Sequence, residues 1–387
     1  MIYLDHAAAT PLEPAVLEAM LPYLKDDFAN PSSLYMVART TRGAVEEARG
    51  SIANILGAKP TEIVFTGGGT EGNNLAVQGV LRAHPGAGWV TTSVEHDAIL
   101  AQVKSMEVAG HPAAVVSVKP DGIVRVPDVV DAISDETVLV SVMLANNEIG
   151  TIQPVGDVAK AIAAIRADRA RRDIDLPLYL HTDAVQAANY LDLHVTRLGI
   201  DLLTINGSKI YGPKGTGVLY VRHGTKLEPL HYGGGQERGR RSGTENVAGV
   251  VGLARALELA AEKRAGESRR LAELRDQLAT GLLQAMPEAI INGDPRRRLP
   301  NNLNLSLAGA EGEALVLYLD NAGIMASTGS ACSTGSLDPS HVLLAIGRTP
   351  AEANSSLRLT LGRSTTPDQI ESVLRVLPSV VQRLRQI

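Results

Sequence analysis

Between residues 62 and 205, short β-branched runs alternate with longer amphipathic stretches, and this rhythm restricts the chain to strand–helix–strand units. Glu62–Phe65, Trp89–Ser93, Ala113–Val118, Thr137–Leu144, Leu178–His181 and Asp201–Ile205 read as strands. Glu71 to about Ala83, Ala98–Val108 and Val155 to about Ala167 read as the helices between them. A mainly parallel sheet covered by helices on both faces is the expected α/β architecture. A helical pattern from about Glu245 to Leu283 is long enough to bridge a large domain and a smaller one. Beyond it come a helix near Gly312–Asn321, a loop, a strand at Ser356–Leu361 and a last helix opening on Pro367, where proline suits the first turn. The expected division is residues 12–260 for the large domain. Residues 1–11 with 261–387 would form a smaller α+β domain.

Bulk properties exclude several classes. Aromatic residues are only 3%, so the core must be built from Ala, Val, Leu and Ile. The net charge of −5 leaves no basic footprint for nucleic acid. The short arginine clusters Arg238–Arg241 and Arg296–Arg298 read as solvated loops. No stretch reaches the roughly 18 apolar residues of a membrane span. The opening Met1–His6 lacks a basic region followed by an apolar run, so no signal peptide is expected. A single cysteine rules out an intrachain disulfide and suits a reducing cytoplasm.

Four segments carry chemistry. Thr66-Gly-Gly-Gly-Thr70 follows a strand and opens a helix, where free backbone N–H groups and the helix dipole favour a phosphate. A plain strand-to-helix turn has about equal odds. No Gly-Lys-Ser/Thr follows it, so a nucleotide hydrolase is not expected, and no His/Glu set reads as a metal site. Asp183, at the end of an apolar strand, is a helix cap or the partner of a buried cation such as a pyridinium. Asn206-Gly-Ser208-Lys209 follows another strand. Its lysine is either an ordinary turn lysine or one able to form a Schiff base, with Lys214 a weaker competitor. Finally, Ser327–Ser336 is built almost wholly of small and hydroxylated residues with Cys332 at its centre. Such a segment has no material for a core and reads as a mobile surface loop with a reactive thiol, spanning about residues 327–341.

In this order, and together with Tyr3–Ala8, Asn30–Ser33, Glu95-His96, Asn146–Pro154, Gly233–Asn246 and Ser356–Arg358, these segments resemble the cysteine desulfurases almost end to end. These belong to the class-V aminotransferase family, with the aspartate-aminotransferase-like fold type I of pyridoxal-phosphate enzymes. The cysteine loop is similar to that of the nitrogen-fixation and general iron–sulfur types. The resemblance implies pyridoxal 5′-phosphate as cofactor, with Lys209 as the Schiff-base lysine and Asp183 at the pyridine nitrogen. Gln186 would meet the ring hydroxyl, and His96 would stack on the ring and assist proton transfer. Gly69, Thr70, Asn206 and Ser208 would surround the phosphate, with Thr244 reaching it from the other subunit of a homodimer. Asn147 and Arg358 would hold the substrate carboxylate, a task suited to a guanidinium fork. A structural salt bridge is the alternative for Arg358, and a helix-start role the alternative for His96. Relatives commonly carry histidine where Ser208 stands. Some relatives use a longer tail to dock an iron–sulfur scaffold protein, and docking in that mode is not expected of this chain.

The implied reaction takes sulfur from L-cysteine, leaves L-alanine and places a persulfide on Cys332 for a sulfur-acceptor protein. A selenocysteine lyase, or another lyase or transaminase of the same fold, is the alternative within enzymes. A catalytically silent sulfur-carrier-binding protein is the alternative outside them, and Lys209, Asp183, His96 and Cys332 argue against it.

Overall fold

The computed structural model describes residues 1–328 and 338–386; Cys332 and most of its loop lie outside the described residues. Seven strands form the main sheet in the order 63–66, 217–221, 202–206, 179–183, 137–141, 88–92, 113–116. Four of the six pairings are parallel. The exception is Gly217–Val221, antiparallel to both Ile63–Thr66 and Leu202–Asn206. The strands expected from the sequence for this sheet end at Ile205 and do not include this one. The turn preceding it at Gly215 has a φ of +73°, which glycine supplies without strain.

The strands at 63–66, 137–141 and 179–183 are buried at every position. That is the expectation for a sheet covered on both faces, and it explains the near-continuous apolar runs of the first two. The helix at Gly312–Asn321 spans the range read from the sequence. Others shift by a few residues, as with Val247–Ala285 and Gly69–Ala83. Two early helices, Pro14–Lys25 and Met36–Leu56, were not anticipated. Both pack on the long Val247–Ala285 helix, which screens one face of each.

A second apolar core gathers Leu4, Leu271–Leu282, Leu303–Leu307, Leu315, Leu357–Leu361 and Ile370–Val381. Ser356–Thr360 pairs antiparallel with Asn302–Ser306, and Ile2–Tyr3 pairs parallel with Ile324–Met325. No helix among the described residues is long and apolar enough to cross a membrane.

One buried ion pair braces the approach to the glycine turn. Arg49 donates to both Glu237 carboxylate oxygens at 2.8 Å and to the Ile63 carbonyl at 3.0 Å. Phe65 N–H donates to the same carboxylate at 2.9 Å. Glu237 and Arg238 sit at φ +49° and +59°, a strained pair for non-glycine residues that this pairing holds in place. Arg49→Met would strand a buried carboxylate. We expect a loss of about 3–5 kcal/mol in unfolding free energy by urea denaturation.

Candidate active site

The carboxyl ends of the parallel strands open onto one pocket of about 530 Å³, where ligands gather in open α/β sheets. Its wall includes Gly69, Thr70, His96, Asn147, Asp183, Gln186, Asn206, Lys209 and Arg358. Residues scattered over 290 positions of sequence thus face a single volume. A wider cleft of about 870 Å³ adjoins it along Gly67–Thr70, Asn206 and Ser208.

Lys209 leaves the Leu202–Asn206 strand through a single 3-10 turn. Asn206 caps that turn, its Oδ1 accepting from Ser208 N–H and Oγ–H at 3.1 Å each. The turn admits only glycine at 207, because a Cβ would lie 2.4 Å from Thr216 Oγ1. Thr10 clamps it from outside: its N–H and hydroxyl donate to the Ser208 carbonyl, and Tyr211 N–H donates back to Thr10 Oγ1 at 2.7 Å. Tyr211 is held at φ +61° by these contacts. The Lys209 ammonium donates to the Ala8 carbonyl at the pocket wall.

Asp183 ends its strand only 6% exposed. Its Oδ2 accepts from Asn73 Nδ2 at 2.6 Å and its Oδ1 from Val185 N–H at 2.9 Å, which fix the carboxylate's orientation. Asn73 received no role in the sequence reading. Its only signal was position, one helical turn inside the glycine motif, on the face that turns to the sheet.

His96 does cap the Asp97–Val108 helix. Its Nδ1 accepts from Ala98 N–H at 3.0 Å, so the neutral ring carries its proton on Nε2. Capping and pocket lining are therefore both present. Arg358 is likewise engaged in two ways: Nη2 pairs with Asp5 Oδ1 at 2.9 Å and Nη1 donates to the Asn147 carbonyl at 3.1 Å. The salt-bridge reading and the pocket reading describe the same guanidinium.

The remaining residues fall into place unevenly. Gln186 lines the pocket, and its Nε2 donates to the Ala7 carbonyl at 3.0 Å. Ser208 faces the wider cleft with its hydroxyl turned to Asn206. Thr244 is exposed and lines neither space.

Two buried acids escaped the sequence reading as site residues. Glu148 lines the pocket and accepts from Ser340 Oγ at 2.6 Å; burial raises its pKa, against the hydrogen bond from Ser340. Glu95 is wholly buried, and burial pushes its carboxyl up to about 8. His181, just ahead of Asp183, is a core histidine held between Ser141 and Thr204, its pKa lowered by burial to about 3.

The pocket fits pyridoxal phosphate in its donor set. The helix at Gly69 starts without any side-chain cap, so its first N–H groups remain for an anion. A Cβ at Gly69 would lie 2.9 Å from Val185, so no side chain can fill that cradle. An oriented carboxylate and a lysine ammonium complete the set for a protonated pyridine ring bearing an aldehyde.

Comparison with known proteins agrees with this geometry. Residues 2–373 match the family described as Aminotransferase class-V. A protein named Cysteine desulfurase IscS from Clostridium botulinum (strain Hall) is 46% identical over 390 residues, covering 100% of this chain and 96% of that one. A solved chain described as a NifS-like protein superposes with a TM-score of 0.90 at 32% identity, covering 99% of both chains. Another, described as SspA in complex with cysteine, gives a TM-score of 0.79 at 34% identity over 93% of this chain and 99% of that one. The chain belongs to the class-V aminotransferases and, within them, to the cysteine desulfurases.

Proposed function

We propose that this protein uses pyridoxal 5′-phosphate to remove sulfur from L-cysteine, releasing L-alanine and leaving a persulfide on Cys332. The convergence of Lys209, Asp183, His96 and Arg358 on one pocket carries this reading. A related chain described in complex with cysteine supports the substrate. When bound, the cofactor supplies a protonated ring that accepts electrons from the substrate's α-carbon.

The chain's own residues supply the rest. Gly69 and Thr70 at the helix start, with Asn206, hold the phosphate. Asp183, its orientation set by Asn73 and Val185, would hold the proton on the ring nitrogen. His96, in the pocket wall, would hold the ring from one side. Lys209 would anchor the cofactor through its amine and would move the proton at the substrate's α-carbon. Arg358, already aimed by Asp5 and the Asn147 carbonyl, takes the substrate carboxylate. Cys332 gains the sulfur as Cys–S–SH while the carbon skeleton leaves as alanine, so atoms and electrons balance.

The same reading divides the chain at about residue 260, a division supported by the separate apolar core around Leu4 and Leu271. It makes the protein a homodimer in the cytoplasm that passes sulfur to an acceptor protein such as an iron–sulfur scaffold. Phe28, Leu34 and Met36, each about four-fifths exposed, supply apolar surface for a second copy. Thr244, outside the pocket of its own chain, is the residue such a partner would contribute.

The test is the intact mass of the purified holoenzyme after brief exposure to L-cysteine, with alanine assayed in the same sample. One added sulfur on Cys332 together with alanine is the expected result. Neither product, in protein shown to hold the cofactor, would overturn the substrate assignment.

A further inference from the structure

Glu95 is a buried titratable group that the reaction above does not use. It directly precedes His96 and is 0% exposed. Its Oε1 accepts from Thr92 Oγ1 and from Met143 N–H, each at 2.8 Å. These donors lie at the ends of two neighbouring strands, and Met143 itself lines the pocket. Its backbone carbonyl meets His341 Nε2 at 2.9 Å. Its Oε2 is buried without a hydrogen-bond partner among the described residues.

This geometry selects a protonation state. An anionic Oε2 with no donor among the described residues, on a side chain that is wholly buried, carries the desolvation cost of a buried charge, whereas a carboxylic acid does not. The charged groups facing it are Asp183, from the strand two places along the sheet, and His96 on its own turn; the first opposes ionisation and the second favours it. His341 faces its backbone carbonyl. Burial is the larger effect, and the carboxyl titrates near 8.

We infer that Glu95 is a positioning residue: its carboxyl ties the His96 turn to Met143, and by staying uncharged it leaves Asp183 as the carboxylate that meets the cofactor ring. This rests on the proposed cofactor site. Ionisation of Glu95 would place a second anion beside Asp183 and His96, disturbing both ring contacts. The alkaline side of the pH profile then belongs partly to Glu95.

Glu95→Gln separates this role from plain packing, because the amide keeps an acceptor for Thr92 and Met143 but cannot ionise. In holoenzyme reconstituted with pyridoxal phosphate, kcat of the variant relative to wild type should hold steady up to about pH 7 and rise about 3-fold or more by about pH 9.5. The second readout needs no cofactor. The folded carboxyl titrates near 8 against an ordinary 4.5, so it favours the folded wild type below pH 4.5, and this contribution drains away as pH rises to about 8. In cofactor-free protein, Tm of the variant minus that of wild type should therefore climb between those pH values and then level off. A flat kcat ratio across the alkaline range would overturn the positioning role, and a flat Tm difference would overturn the uncharged acid on which it depends. Wild type that gains no visible absorption band with added pyridoxal phosphate would sink the cofactor site instead, while the melting comparison still decides the state of Glu95.

Discussion

Lys209→Ala abolishes the lysine-linked yellow chromophore of the protein and lowers alanine formation from L-cysteine by at least about 10²–10⁴-fold, the range for loss of a positioned proton-transfer group. The expectation follows from how narrowly the structure places this amine. Its turn is fixed by Asn206, by a glycine that no other residue can replace, and by Thr10 reaching across from the N-terminal segment. The fold should survive the change. The backbone partners of the turn, including Asn189 Nδ2 on the Lys209 carbonyl at 2.7 Å, do not involve the lysine side chain. The checks are the visible spectrum with added pyridoxal phosphate and the mass after borohydride reduction. Wild type should keep the cofactor mass and the variant should not. Retention of a covalently held cofactor by the variant would move the anchor to another lysine. Lys214 lines the wider cleft and is the first place to look.

How much of this was legible without coordinates depends on the range over which each interaction acts. The strand at 137–141 was readable because a sheet buried on both faces favours near-continuous apolar runs, and that at 179–183 from its apolar start at Leu178–Leu180. Asp183 and Lys209 were readable only as polar residues at the sheet edge where ligands bind; the roles expected of them came from the family resemblance. The antiparallel strand at Gly217–Val221 was not, since strand direction is set by its neighbours and not by its own residues. Nor was the pairing of Arg358 with Asp5, which joins residues 353 positions apart. The burial of Glu95 was equally hidden. A glutamate ahead of a helix-capping histidine reads as a solvated acid until Thr92 and Met143 are seen to close over it. Asn73 shows the intermediate case: its place on the helix was legible, but the carboxylate it orients comes from 110 residues away.

Cys332→Ser should leave the cofactor spectrum unchanged while the added sulfur disappears from the intact mass and alanine formation falls about 10²-fold or more. A hydroxyl in that place can neither match a thiolate as nucleophile nor store sulfur as a persulfide. The argument for Cys332 as acceptor rests on the ends of its segment. Ser327 is stitched to Arg358 by two backbone hydrogen bonds of 2.7 and 3.3 Å. On the other side Asp338–His341 line the pocket, with Ser340 bonded to Glu148 and His341 to the Glu95 carbonyl. Cys332 is four residues from Thr328, and a fully extended chain spans at most about 14 Å over that length. Asp338 lines the pocket and Ser327 pairs with Arg358, which also lines it, so the segment that carries Cys332 leaves and rejoins the fold beside the proposed substrate site. With one cysteine in the chain, no other thiol of the same molecule can take its place. Undiminished alanine release by the serine variant would therefore mean that sulfur leaves directly to a small thiol in solution, and the persulfide step would fall.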